Sequence, residues 1–584
     1  MCNQSTITMK FTLCICFAII INFCNAQTTI FESSGGKSTG TYQEVINYYS
    51  ILADSRSEIK MEEMGETDSG LPLHLVTVST SGIFDFDQAH QQGKTVILIN
   101  NGIHPGEPDG IEASMMLIRD YLNDASKKQL LDGIVIAIIP IYNIGGALNR
   151  NSHTRTNQAG PMEYGFRGNA QNLDLNRDFI KMDSRNAKSF AQIFQKVNPD
   201  IFIDTHVSNG ADYQYNISHL TTQPDKLGGE IGTYLEGEMI PALEQGMKNR
   251  NEEVVPYVNV FNSTPDASGY VQFMDTPRFA SGYAALFYSI GFTIETHMLK
   301  SFDTRVKATY TFFETIIDIA NKDGRRIQTM RQKLLGQSIE KKLMPIEWRL
   351  DRSSSVDLNF KGYEGEQIKS KVTGQYRLYY NHDKPFTKPI PYYNHYAPRV
   401  QVIAPKAYII PPGWNKTIER LKLNNVKMTQ IKSDSIISVE SYKILKYNPA
   451  TTPYEGHYPH NNVEIQSETK TVKFLRGSYL IPIDQIAGRF LVEVLEPHAT
   501  DSYFVWNFFD TILQQKEYFS PYVFEDLAIR LLEQDDELNK KFKEEKRNNA
   551  EFANNWYAQL DFIYKNSEQY EKSHMQYPVY RIID

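Results

Sequence analysis

Beyond residue 24 the sequence contains no cysteine: all four, Cys2, Cys14, Cys16 and Cys24, lie at the extreme N-terminus. No disulfide framework can form in the rest of the chain. Any metal site there must be built from imidazole and carboxylate rather than thiolate. After residue 26 there is also no apolar run approaching the roughly 18 residues of a membrane-spanning helix. A strong excess of one charge is lacking too. The net charge of −8, from 61 Lys and Arg against 69 Asp and Glu, gives no reason to expect nucleic-acid binding. With 41% hydrophobic and 22% charged residues the composition is that of an ordinary globular protein. A chain of 584 residues exceeds what one core usually holds.

The N-terminus itself carries a secretory signal pattern. Lys10, or Met9-Lys10 as an alternative start, precedes an apolar stretch over 11–23, and Cys24-Asn25-Ala26 follows. A positive n-region, a short h-region and a small residue at the cleavage point define such a signal. The run is too short for an anchor, and Phe23 stands where a lipoprotein signal would place a small residue. The expectation is a signal peptide over 1–26, a flexible Ser/Thr/Gly-rich lead-in over 27–40, and an exported chain, periplasmic or secreted. A cysteine-free exported protein suits a bacterial envelope.

Continuously apolar strands at 95–99, 133–142, 200–206 and 291–297, with an alternating one at 73–78, are interleaved with helical patterns at 41–57, 111–122, 186–197, 228–247 and 304–321. This alternation predicts an α/β domain with a mixed, largely buried sheet flanked by helices. A polar, Gly-rich stretch over 143–168 is too long for an ordinary connector, and such loops commonly carry function. At the end of the 95–99 strand, in the turn Asn-Asn-Gly-Ile-His-Pro-Gly-Glu, sit His104 and Glu107. Open α/β sheets bind ligands at such strand ends, and a catalytic zinc commonly takes two His and one Glu. Taken alone, His-x-x-Glu is a frequent accident. A second apolar strand ends in Asp-x-His at His206, and a third carries Glu295. Asn172-Leu-Asp-Leu-Asn-Arg-Asp lies between the first two motifs.

His-x-x-Glu, Asp-x-Asn-Arg, a strand-borne His and a strand-borne Glu, in that order, resemble the M14 zinc carboxypeptidase family over about half the chain, 41–318. The resemblance implies one Zn2+ held by His104, Glu107 and His206, a site that keeps a position for water whose acidity the metal raises. It implies Glu295 as general base and Asp174 as the carboxylate orienting the first histidine. Asn176 and Arg177 would clamp the C-terminal carboxylate of a peptide or peptide-like substrate, a task suited to the planar two-donor fork of a guanidinium. An upstream arginine would stabilise the oxyanion; Arg155 is preferred on spacing over Arg150 and Arg167. Tyr283 or Tyr270 would cap the substrate. Three departures leave substrate identity open: Tyr142-Asn143-Ile144-Gly145-Gly146 replaces the usual Asn-Pro-Asp-Gly, the capping tyrosine has no single match, and the spacing before Glu295 is altered. The leading expectation is an exported metallocarboxypeptidase. The alternatives are an M14-like amidase on cell-wall peptides or N-acyl amino acids, and an inactive binding module of the same fold.

The peptidase domain is expected over 41–325, with a basic linker or closing helix at 326–347. A C-terminal accessory region over 348–584 reads as β-rich, with a short helix at 416–426, apolar strands within 477–509, and a charged helical end whose Lys540–Arg547 run is a solvated face.

Overall fold

The computed structural model describes residues 28–583; the stretch over 1–26 expected from the sequence to be a signal peptide, and with it all four cysteines, lies outside the described residues. The first nine strands are β1 (Ile59–Glu66), β2 (Pro72–Val78), β3 (Thr95–Asn100), β4 (Ile134–Ile139), β5 (Ile201–Val207), β6 (Ile217–Thr221), β7 (Val254–Pro256), β8 (Tyr270–Val271) and β9 (Ile290–Thr296). All but β8 form one sheet in the order β1-β2-β4-β3-β5-β9-β6-β7. Its centre, β4-β3-β5-β9, is parallel; β1 with β2, β2 with β4 and β6 with β9 pair antiparallel, and β7 joins β6 in parallel. The central strands are Ile- and Val-rich because both faces are covered, and every residue of β3, β4 and β5 is buried. Helices Asp109–Asn123, Arg185–Val197 and Phe302–Leu335 provide much of that cover. The sheet is therefore mixed and flanked by helices, as the sequence pattern requires.

Several boundaries differ from expectation for identifiable reasons. The lead-in does not trail loosely: a capping box at Thr29 and Glu32 starts a short helix. Phe31 then packs edge-on against Phe302, and Glu32 pairs with Arg119. Of the two expectations for 326–347, a linker or a closing helix, the structure has helix as far as Leu335, continuous with the helix expected at 304–321 in one 34-residue element, Phe302–Leu335. Gly324 keeps that helix close to the sheet, since a Cβ there would meet Thr95 Oγ1 at 1.9 Å. Buried Arg331 pairs with Asp200 at 3.3 Å, which explains why a basic stretch continues inward. The helix expected at 228–247 is broken by a π turn over Leu235–Met239, next to Pro241. Between 477 and 509 only β18 (Tyr479–Pro482) is a strand; Gly488–Leu495 is a fully buried helix. Short apolar runs do not distinguish those two outcomes.

The accessory region holds β10 (Leu343–Leu350), β11 (Val356–Lys369), β12 (Tyr376–Tyr393), β13 (Tyr396–Ile403), β14 (Ala407–Ile410), β15 (Thr429–Gln430), β16 (Ser435–Pro449), β17 (His460–Phe474) and β18 before a helical end and a closing strand, β19 (Tyr580–Ile582). It is sewn to the N-terminal part. Strand β8 pairs in parallel with β12, and Tyr213 bridges to Gly362.

One buried group makes the core acid-sensitive. His219 on β6 is 3% exposed, and neither ring nitrogen has a protein partner. Burial pushes its pKa down to about 4. The unfolded chain would hold that proton with a pKa near 6.5, so stability is complete above about 6.5 and drains as pH falls towards 4. We expect His219→Leu to flatten the decline in melting temperature between pH 7 and 4.5, by the equivalent of at most about 3 kcal/mol. Superimposable pH profiles of the two proteins would refute this.

Candidate active site

The carboxyl ends of β3, β5 and β9 open onto one cavity of about 300 Å3. Here the strand order reverses, with β4 on one side of β3 and β5 on the other, the place where open sheets bind ligands. After β3 the chain turns tightly, Glu107 N–H donating to His104 O at 2.8 Å. Gly106 must lack a side chain, because a Cβ would lie 2.4 Å from Arg155 Cδ and 3.0 Å from Gly165 O. The long 143–168 loop thus folds directly onto the turn. The following helix is pinned by Asp109, whose carboxylate meets Arg305 at 3.0 Å and accepts from Thr296 Oγ1 at 2.5 Å.

His104, Glu107 and His206 are each nearly inaccessible, and their donor atoms all lie within 4.8 Å of one another. Glu107 Oε2 is 3.3 Å from His104 Nδ1 and 3.1 Å from His206 Nδ1. On the far side, His104 Nε2 meets Asp174 Oδ1 at 3.0 Å and His206 Nε2 meets Asp204 Oδ2 at 2.8 Å. Carboxylates accept only, so Asp174 and Asp204 hold a proton on each Nε2 and turn the two Nδ1 atoms towards the glutamate. Two imidazole nitrogens and a carboxylate facing one another call for a positive charge between them, which a proton or a metal cation supplies, and the donor set suits zinc. Burial alone would raise Glu107, but Arg155 and His104 outweigh it and hold its carboxyl well below the usual range. Asp174 is likewise held far down, His104 and Arg167 overcoming its burial. Burial would depress His206, yet Asp204 keeps it well above the ordinary histidine value. The Asp-x-His strand end seen in the sequence thereby gains a role for its aspartate, which orients the histidine.

Glu295 stands in register with His206 across β5 and β9 and lines the cavity. Burial raises it to about 7, against the pull of His206. Asn176 and Arg177 also line the cavity. The Asn176 side-chain oxygen is buried without a protein partner, and the Arg177 guanidinium lies 4.6 Å from the Phe279 ring centre.

Of the arginine candidates, Arg155 does not line this cavity. Its Nη2 binds Glu107 Oε1 at 2.9 Å and its Nε binds Gln158, so it braces the glutamate from behind. Arg167 does line it. It forks onto Asp174 Oδ2 at 3.0 and 2.8 Å and brings Nη1 to 3.4 Å from His104 Nδ1. Arg150 is spent on the carbonyls of Thr39, Gly40 and Glu163.

Neither candidate tyrosine reaches the cavity. Tyr283 is wholly buried, its ring 5.0 Å from Phe194 and its hydroxyl donating to Asn424 Oδ1 at 2.7 Å. Ser281, on the same helix, faces the cavity; two residues on, the helix has turned by about 200° and carries Tyr283 into the core. Tyr270 is buried and donates to Pro256 O. The tyrosine at the cavity is Tyr257, just past β7. Burial and then Glu295 keep its hydroxyl protonated well beyond the usual range. Its three-residue strand is too short to register as a pattern.

The family model Peptidase_M14, described as zinc carboxypeptidase, matches residues 45–212, which include His104, Glu107, Asp174, Asn176, Arg177 and His206. Carboxypeptidase 2 of Trichophyton rubrum is 21% identical over 488 residues, covering 80% of this chain and 84% of that protein. Carboxypeptidase 2 of Trichophyton tonsurans is 21% identical over 512 residues, covering 83% and 88%. Among solved structures, carboxypeptidase A from Helicoverpa armigera aligns at 16% identity with a TM-score of 0.36, covering 50% of this chain and 73% of that one.

Proposed function

Because the chain belongs to the M14 family of zinc carboxypeptidases, we propose that it is an exported zinc-dependent metallocarboxypeptidase acting on peptides with a free C-terminal carboxylate. The observation that carries this reading is the convergence of two imidazole Nδ1 atoms and one carboxylate beside a cavity also lined by the Glu295 carboxylate and the Arg177 guanidinium. Held by His104, Glu107 and His206, zinc would supply a Lewis acid and an acidified water. Glu295 would accept a proton from the attacking water on a carboxylate oxygen and return it to the leaving amine. Arg167 Nη1, between His104 and the cavity, stabilises the negative charge that develops on the carbonyl oxygen. Asn176 and Arg177 bind the substrate carboxylate, and the Tyr257 hydroxyl closes over the bound residue.

The same cavity suggests which residue is released. Thr293 lies two residues before Glu295 on the same face of β9, and Leu220 is its partner on β6. With Ser281, Phe273 and Phe279 they make up a part of the cavity lining that carries no charged side chain. A charged side chain there would be buried unpaired, at a cost of several kcal/mol. We expect peptides ending in Phe, Tyr or Leu to be cut with kcat/KM at least about 100-fold above those ending in Lys, Arg, Asp or Glu.

Amino-acid release from a mixed peptide pool, with metal analysis of the same sample, tests both statements. About one zinc per chain and release of apolar residues supports them. Release of charged residues would refute the apolar pocket alone. Zinc without trimming would redirect the search to cell-wall fragments and acylated amino acids, and absence of zinc binding would refute the site.

A further inference from the structure

The segment 174–177 links the metal centre to the carboxylate clamp, since Asp174 orients His104 and Arg177 faces the substrate. Both of its ends are held by a loop nearly 280 residues later. Between β16 and β17 the chain makes a two-residue turn at Glu455-Gly456, with Tyr454 and His457 exchanging backbone hydrogen bonds of 2.8 and 3.0 Å. At its tip, Glu455 Oε2 accepts from Asp174 N–H at 2.8 Å. Tyr454 Oη accepts from Arg177 Nε at 2.9 Å.

The loop is built for this contact. Glu455 has φ +49°, a left-handed conformation that disfavours a side chain other than Asn, Asp or Gly. Its neighbour Gly456, at φ +78°, has open space around it and no such conflict. A strained glutamate at the tip of an accessory hairpin is explained by the backbone N–H that its carboxylate reaches. The loop is anchored independently of Arg177. The Tyr454 ring stacks on Trp506 at 6.1 Å and 20°, His457 stacks on Phe508, and His457 Nε2 meets Asp183 Oδ2 at 2.7 Å.

We propose that Tyr454 and Glu455 are positioning residues of the substrate site: the accessory hairpin fixes the orientation of the Arg177 guanidinium and so sets how tightly the C-terminal carboxylate is held. This rests on the carboxypeptidase reading. With Nε bound to Tyr454 and Nη1 bound to Asn176 O at 2.7 Å, the fork is fixed from both sides and Nη2 is presented to the ligand. Holding that fork in place before binding removes the cost of ordering it on binding.

The test compares a peptide ending in a free carboxylate with the same peptide amidated at its C-terminus, in the full-length zinc-loaded protein. Tyr454→Phe keeps the ring on Trp506 and removes only the hydroxyl. The expected result is a KM for the free acid raised about 3- to 10-fold, with kcat within about twofold, and a fall of the same size in the acid-over-amide preference. Glu455→Asn relaxes the left-handed residue while withdrawing the carboxylate, so the preference should fall with a melting temperature no lower than that of the wild type. A wild type that prefers the acid and a Tyr454→Phe variant that keeps the whole preference overturn the inference alone. A wild type indifferent to amidation overturns the carboxypeptidase reading and this inference with it.

Discussion

Glu295→Gln should lower kcat/KM by about 10²- to 10⁴-fold while zinc content stays at the wild-type level. The two halves of this expectation have separate grounds. Glu295 is not among the three groups whose donors cluster within 4.8 Å, so removing its charge leaves the ligand set intact. Its carboxylate nonetheless faces the same cavity, and its pKa of about 7 is that of a base able to take a proton at neutral pH and release it again. The amide is nearly isosteric and cannot accept the proton. The pH dependence follows from the sign of the shift. Glu295 works deprotonated, so kcat/KM falls tenfold per unit below its pKa. Bound zinc adds positive charge and moves that limb downward, placing it at or below about 7. The variant's residual activity should lack the limb. Metal analysis and a pH profile of kcat/KM on wild type and variant decide it. A variant that loses zinc, or keeps more than a tenth of its activity, would remove Glu295 from this role.

The second large effect separates the two arginines. Arg167→Lys should cost about 10²- to 10³-fold in kcat at saturating zinc. Lysine keeps a charge, but it cannot fork onto Asp174 and still face the cavity. Arg155→Ala should instead weaken zinc binding, by about 10- to 100-fold, and leave kcat near normal once zinc is restored. Its guanidinium touches Glu107 Oε1 and nothing that lines the cavity's open side. Zinc titration in a metal buffer, alongside kcat at saturating metal, gives both numbers. The reverse pattern would return the oxyanion role to Arg155.

The three candidate metal-site residues and Glu295, which the structure brings to one cavity, were legible as a group because they sit at the ends of apolar strands, where a polar residue interrupts a pattern. His206 and Glu295 are such interruptions, and the parallel register that brings them side by side follows from continuously buried strands. Asp174, Asn176 and Arg177 share one short motif, so their grouping was readable without the fold. Arg155 and Arg167 lie in a loop with no periodicity, where spacing along the chain is a poor guide to position. What separates them is a fork onto Asp174 and a bond to Glu107, both tertiary facts. Tyr283 was misplaced because sequence does not say which face of a six-residue helix turns inward. The hairpin at Tyr454 was beyond reach altogether, since nothing in Tyr-Glu-Gly-His points to a partner some 280 residues earlier.

That separation has a consequence for when activity can begin. Chains are made, and exported chains delivered, from the N-terminus, and regions fold as they become available. His104, Glu107, His206 and Glu295 all precede residue 300, and the central sheet is complete by Thr296. Tyr454 and Glu455 arrive more than 150 residues after that. A nascent chain can bring the candidate site residues together before the hairpin proposed to hold Arg177 has been made, so on the proposed reading its grip on a C-terminal carboxylate tightens only when that later segment arrives. Chains clipped before the hairpin would then bind such a carboxylate several-fold more weakly.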